Sequence, residues 1–318
     1  MTSETVQVTA RFSFLPEGIR DHILSFLPME DVVKTSVLSR QWRHICYSLY
    51  DLEFNQQEFE NMEGKDRNAV DFRNFVDRLL ISHDSTSSPP DLKVLKLCEV
   101  VESNSSNIHI SSPNLEEMEY IAPKPPNVSS ETLSSLVRVV FILIEKPSVP
   151  GNIVTKMLMG LRNVVKLSLS TTSFEVLGED PNLAACLPTS CRSLRHLCLM
   201  MRPFKDSIRV LILLLRSYPR LETLDISFQM DSKLESISSE QSGELFNAYI
   251  LKHLTGNLLK HLKAVKIKKF RIEDEDEYRI VRYILENANF FKKMSILYHP
   301  SVEEDVKFRM LVVEFVDI

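Results

Sequence analysis

Three thiols and an imidazole, from Cys186, Cys191, His196 and Cys198, gather in one short stretch of the chain and are the residues best suited to chemistry. Thiolate and imidazole are the usual ligands of a tetrahedral zinc ion, most often supplied as closely spaced pairs. The tight Cys-x2-Cys pair is missing here, and Cys191 stands three residues before Leu194, where a helix gives way to a strand motif. These cysteines therefore read as core residues, and no metal is expected. The seven glycines, at 18, 64, 151, 160, 178, 243 and 256, are isolated, so no glycine-rich phosphate loop forms, and no serine sits in a Gly-x-Ser-x-Gly elbow. The acidic run Glu273 to Glu277 lacks the alternation and glycine of a calcium loop and reads as a solvated loop and helix start. Lys260, Lys263, Lys266, Lys268, Lys269 and Arg271 form the one positive patch; solubility explains it as well as nucleic-acid contact does. No catalytic or cofactor-binding residue is expected, which favours a binding module over an enzyme.

Composition narrows the class. A chain of 318 residues with 44% hydrophobic residues has material for a small module and one larger domain. Its 38 basic and 43 acidic side chains leave a formal charge of -5, which argues against a generally basic nucleic-acid binder. The longest later apolar run, Val137 to Ile144, is too short to span a membrane. The opening residues show no basic segment followed by an apolar run, and five unevenly placed cysteines fit a reducing compartment. The expected location is nucleus and/or cytoplasm, not secreted.

The elements that would position a binding face begin with a repeat. An apolar residue, two others, an apolar residue, one other and an apolar residue recur at Leu92/Leu95/Leu97, Leu115/Met118/Tyr120, Leu136/Val139/Phe141, Val164/Leu167/Leu169, Leu194/Leu197/Leu199, Leu221/Leu224/Ile226, Leu262/Val265/Ile267 and Phe291/Met294/Ile296. Most spacings fall near the leucine-rich-repeat period, which predicts an α/β architecture: an irregular, open solenoid of short strands with returning helices. The period-two part sends two side chains inward and leaves the one between them on the concave face. Lys96, Glu119, Ser168, Cys198, Asp225, Lys266 and Ser295 hold that outward position. Ser207 to Tyr218 is the best returning helix, with Lys156 to Leu161, Asn182 to Leu187 and Gly243 to Leu254 weaker counterparts. Leu49 to Phe54 alternates as a first strand, Gln56 to Asn68 reads as a loop, and Phe72 to Leu80 returns to helical spacing. His83 to Pro90 has a linker's composition, and the segment from Val306 is apolar enough to pack as a last strand. A plain antiparallel or three-layer fold is the structural alternative.

At the amino end, Phe14 to Tyr50 packs three short helical patterns around the lone Trp42. Ile19, Ile23, Leu24 and Leu27 form one stripe, Glu30 and Asp31 open a second helix, and Ser39 can cap a third. Helices this short need one another, and their apolar residues exceed what one small core can use. The surplus predicts a partner protein.

Leu15-Pro16, the Ile23-Leu24-x-x-Leu27-Pro28 step, Asp31-Val32-Val33 and Thr35-Ser-Val-Leu-Ser-x-x-Trp42-Arg43 together resemble the F-box of plant F-box proteins with leucine-rich repeats and an FBD segment. The carboxyl end, from Leu259 through Phe270 and the helix Ile280 to Ala288 to Ile296, resembles the FBD. The domains then run 12-52 (F-box), 53-91 (connecting strand, helix and loop), 92-258 (leucine-rich-repeat solenoid) and 259-318 (FBD-like segment and terminal strand). The resemblance implies a non-catalytic substrate receptor of an SCF-type, cullin-RING ubiquitin ligase, joining a Skp-family linker protein to an unknown protein target. The linker-binding surface is expected from Leu15, Pro16, Ile23, Leu24, Leu27 and Val37, with Ile19 and Trp42 as internal core. Target binding is expected at Ser168, Cys198, Asp225 and Lys266. The chain departs from the family in the short stretch before Leu92, which keeps open a second reading: an interaction or regulatory protein that binds the linker or other proteins without supporting ubiquitination.

Overall fold

The computed structural model describes residues 15–24, 26–35, 49–61, 67–84, 92–101, 107–146, 152–187, 191–204, 206–229, 261–271, 273–287, 292–299 and 310–314. Val37, Trp42 and the third helical pattern, the linker-like stretch after Asp84 and the weak helix at Gly243 to Leu254 lie outside them. The chain divides into two compact units, Met1–Ala122 with Pro126–Thr132, and Pro123–Pro125 with Leu133–Ile318.

In the first unit, helix α1 (Glu17–Leu24) is followed by a tight turn, and the Pro28 carbonyl accepts the opening hydrogen bonds of α2 (Met29–Thr35) from Asp31 and Val32. Proline suits that position because it has no N–H to lose at a helix start. Strand β1 (Asp51–Asn55) alternates, with Leu52 and Phe54 buried and their neighbours turned outward. The polar segment after it is not simply a loop. Asn55 accepts from the amides of Gln57 and Glu58 and so caps α3 (Gln56–Asn61), which buries Phe59. Helix α4 (Ala69–Asp84), capped by Asn68 through the amides of Val70 and Asp71, then brings Phe72 and Phe75 edge-on to Phe59 and Phe54.

Strands β2 (Val94–Cys98) and β4 (Glu117–Ala122) extend a parallel sheet in the order β1-β2-β4, while β3 (His109–Ile110) pairs with β5 (Asn127–Val128) as a separate ribbon. Leu52, Leu95 and Met118 stand side by side, as do Phe54, Leu97 and Tyr120. Leu49, Leu52 and Phe54 thus repeat the spacing of the later triplets. The sheet reaches back across the expected boundary at 52–53, and the segment assigned as connecting supplies its first strand.

Two buried polar locks hold this unit. The Gln56 side-chain oxygen accepts from the amides of Val100 and Val101 just beyond β2, at 2.6 and 2.9 Å. It does for the strand end what an asparagine ladder does in a regular repeat, satisfying backbone donors that leave the sheet. Arg73 on α4 donates to Glu99 across 2.9 Å with both side chains 2% exposed.

The division between the units falls within α5 (Ser130–Ser135), and the strands of the second unit follow in chain order. They are β6 (Arg138–Leu143), β7 (Lys166–Leu169), β8 (His196–Met201), β9 (Thr223–Phe228), β10 (Ala264–Phe270) and β11 (Lys293–Tyr298), and from β7 onward each runs parallel to the one before. Parallel neighbours require a crossover between strands. The described crossover helices are α6 (Asn152–Gly160), α7 (Thr171–Glu179), α8 (Leu183–Cys186), α9 (Ser207–Ser217) and α10 (Glu275–Asn287). The parallel pairing decides against a plain antiparallel fold. A last strand, β12 (Met310–Glu314), closes on β11 and runs antiparallel.

Every described triplet residue in both units is at most 6% exposed, from Leu92 to Ile296, and each contributes about 1.5–3 kcal/mol as a buried large aliphatic or aromatic side chain. Helix α7 falls where no helix was expected: Ser170, at the end of β7, caps it by accepting from the Ser173 amide. The same hydroxyl donates to the Leu143 carbonyl and accepts its amide, so one serine ends β6, β7 and the loop between. Near the end of β10, Lys269 takes φ of 57° in a bulge that shifts register against β11 and turns Phe270 inward between Phe228 and Tyr298.

Candidate docking surfaces

Helix α1 separates the four residues of its apolar stripe. At about 100° per residue, Ile19 and Ile23 lie about 40° apart, but Leu24 lies about 100° further round. Leu24 is accordingly 2% exposed and belongs to the interior, while Ile19 is 49% exposed. This reverses the expected roles of both: Ile19 is a surface residue and Leu24 a core one. Pro16 and Leu27 are exposed, Leu15 and Ile23 half-buried. Phe26, which the sequence reading missed, is 74% exposed and packs edge-on to His22 at 4.8 Å. Its signal was present, since seven positions after Ile19 is the same side of a helix. The result is a set of apolar side chains open to solvent in whole or in part, Ile19, Ile23, Phe26 and Leu27, on one helix and the turn after it. Beside it, Glu30 of α2 pairs with Arg67, whose guanidinium lies 4.8 Å above the Phe59 ring and so ties α2 to the aromatic cluster.

In the second unit, Ser168 pairs in register with Cys198, Cys198 with Asp225 and Asp225 with Lys266. The four expected target-binding residues therefore form one lateral row on the strand face opposite the buried triplets. Ser168, Cys198 and Asp225 are half-buried and Lys266 is exposed. Ser295 follows Lys266 in register but is buried, so the row ends there, contrary to its expected outward exposure. Burial, reinforced by the Asp225 charge, pushes the Cys198 thiol up from its ordinary value. One step toward the strand starts, Arg138, Lys166 and His196 make a second row, each exposed and each paired in register with the next. The sequence held this signal too, as a cation or imidazole immediately before the middle apolar residue of three successive repeats. In the first unit the row that corresponds to Ser168, Cys198 and Asp225 reads Glu53, Lys96, Glu119, with Lys96 held 3.0 Å from Glu53.

Comparison with known families matches residues 12–53 to a model described as the F-box domain and residues 257–296 to one described as FBD. The chain carries an F-box and an FBD. Three Arabidopsis thaliana proteins named for an F-box and leucine-rich repeats are similar to it: one 49% identical over 69 residues, one 41% and one 40% identical over 68 residues each. Each match covers 21% of this chain and 11, 14 and 18% of the respective relative, so the chain is matched over only a small part of those proteins' length.

The F-box match contains all four of these apolar residues and ends inside β1; the FBD match contains β10, α10 and the first part of β11. Within the FBD the acidic run is not uniformly solvated. Glu277 is fully buried and accepts from the Arg271 amide at 2.7 Å and from its guanidinium at 2.6 and 2.9 Å, while Asp274 takes a further guanidinium bond. Burial pushes the Glu277 carboxyl up, opposed by the bonds from Arg271. The expected basic patch is likewise divided. Arg271 is engaged with Glu277, Lys263 pairs with Glu222 at 2.6 Å, and Lys266 and Lys268 remain on the strand face. Lys260 lies outside the described residues.

The cysteine and histidine cluster is spread over different surroundings. Cys191 is buried, with its sulfur 3.5 Å from the Leu161 carbonyl oxygen and 3.2 Å from the Ser193 hydroxyl, whereas His196 is exposed on the strand face. Among the described residues no three His, Cys, Asp or Glu groups are placed to hold a metal, and no helix is long and apolar enough to cross a membrane.

Proposed function

We propose that the chain is a non-catalytic substrate receptor of an SCF-type, cullin-RING ubiquitin ligase. The F-box docks on a Skp-family linker protein through Ile19, Ile23, Phe26 and Leu27, with Leu15 and Pro16 at the margin. The parallel repeats form an open leucine-rich solenoid that ends in the FBD and holds a protein target on the row Ser168, Cys198, Asp225 and Lys266. Ubiquitin reaches the target from a conjugating enzyme held elsewhere in the assembly, and this chain contributes proximity, a raised effective concentration without a covalent step. The observation that carries the reading is the exposed apolar set on α1 and its turn, inside the stretch matched as an F-box. Apolar side chains clustered in the open on so small a helical module mark a protein-binding surface.

Ile19→Asp with Leu27→Asp tests it by calorimetric titration against a purified Skp-family protein. Both side chains are already exposed, so the fold should persist by circular dichroism while binding is lost, because each charge would be buried unpaired. Undiminished affinity in the folded variant refutes the proposed contact.

A further inference from the structure

The whole chain is acidic, with a formal charge of -5, yet the outward strand face of the second unit has the opposite sign. Arg138, Lys166 and His196 cluster on β6, β7 and β8, and Lys266 and Lys268 stand on β10 with Lys293 beside them on β11. Against these side chains strands β6 to β11 carry a single carboxylate, Asp225 on β9, while Glu314 of β12 stands in register opposite Lys293. Among the described residues Lys166, Lys266 and Lys268 form no ion pair, so their charge is not consumed internally. Elsewhere the cations are spoken for: Lys263 and Arg195 by Glu222, Arg271 by Glu277.

We propose that this face recognises an acidic protein segment rich in Asp and Glu, laid in extended conformation across the strands. The inference rests on the target-receptor reading and names the chemistry of the target. The spacing sets the pattern it would read. His196 on β8 and Lys266 on β10 are two strand intervals and two residues of strand rise apart, about 12 Å, which an extended chain covers in about three to four residues. Carboxylates about three to four residues apart therefore meet the two clusters at once, with Asp225 beneath the gap between them. Asp225 repels a carboxylate there and favours a neutral or hydrogen-bond-donating residue, which makes the site selective rather than merely cationic. The interruption also disfavours a nucleic-acid backbone, whose charges are continuous. Lysine predominates over arginine, which suits point-charge contact with carboxylates better than the bidentate grip arginine gives a phosphate.

The test uses the full chain and fluorescence anisotropy with three labelled probes. One is a twelve-residue peptide with Asp-Glu pairs separated by Gly-Ser, the second its Asn-Gln counterpart, and the third a twelve-nucleotide single-stranded DNA. The expected result is saturable, salt-sensitive binding of the acidic peptide, weakened about tenfold by Lys166→Glu with Lys266→Glu and strengthened about twofold by Asp225→Asn. Equal binding of the neutral peptide, tighter binding of the DNA, no saturable binding of the acidic peptide, or indifference to both variants overturns the proposal. Linker binding, titrated on the same preparation, depends on the F-box surface alone. Its loss would count against the ligase reading, whereas a failed peptide titration with the linker still bound would count only against the acidic target.

Discussion

Replacing Glu99 with alanine leaves the Arg73 guanidinium buried without its counter-charge, and that single change should be among the most damaging in the first unit. The pair is separated by 2.9 Å, both side chains are 2% exposed, and Arg73 also donates to the buried Tyr120 hydroxyl. At an effective dielectric near 20 the attraction at this distance is about 6 kcal/mol before desolvation of either ion is charged against it. The net value of such pairs is small, but breaking one is not, because the remaining ion keeps its desolvation penalty: the expected loss for Glu99→Ala is about 3–5 kcal/mol. Arg73→Met with Glu99→Leu removes both ions at similar volume and should recover to within about 2 kcal/mol of the parent, the residue being the Tyr120 hydroxyl left without its donor. Urea unfolding followed by far-ultraviolet circular dichroism gives the three values, and hydrogen exchange at the amides of β1, β2 and β4 assigns them to this unit. A Glu99→Ala loss under about 1 kcal/mol, or a double variant as unstable as the two single changes added together, would show that the pair is not the buried lock described here.

Leu197→Ala should cost about 2–5 kcal/mol and His196→Ala under about 0.5, since the first side chain is 1% exposed and the second faces solvent; similar losses in urea unfolding would mean the strand phase is wrong. Lys269→Gly should stabilise the chain by about 0.5–1 kcal/mol in the same assay, because φ of 57° burdens any residue with a Cβ, and a loss would reveal a side-chain contact worth more than the strain. Burial raises the phenols of Tyr120, Tyr218 and Tyr283, the last up to about 12. A raised folded value stabilises below the unfolded value and is lost as pH climbs through the folded one, so these three phenolates should appear at 295 nm only together with unfolding, above the ordinary tyrosine range; their titration near pH 10 in the folded protein would contradict the burial.

Alternation, propensity and repeat spacing are local properties, and the triplets from Leu92/Leu95/Leu97 onward could be read directly because each strand must bury one side regardless of its neighbours. Aligning the middle apolar residues also placed Ser168, Cys198, Asp225 and Lys266 in one row, since parallel strands in register bring equivalent positions together. The F-box and FBD stretches were legible for the same reason, as ordered patterns along the chain. What the tertiary structure decided are the facts that depend on which groups face each other across long separations. Arg73 and Glu99 are two charges whose cost in the interior is bearable only because they meet, and no sequence spacing announces the meeting. Polarity alone points Gln56 to a loop, yet it is buried, because its side-chain oxygen accepts from two amides beyond β2. Glu277 looked like one more solvated acid until Arg271 closed over it. Leu24 and Ile19 exchanged roles because two apolar residues on a short helix can both satisfy the pattern, while only packing against the rest of the unit determines which one is shut away from water.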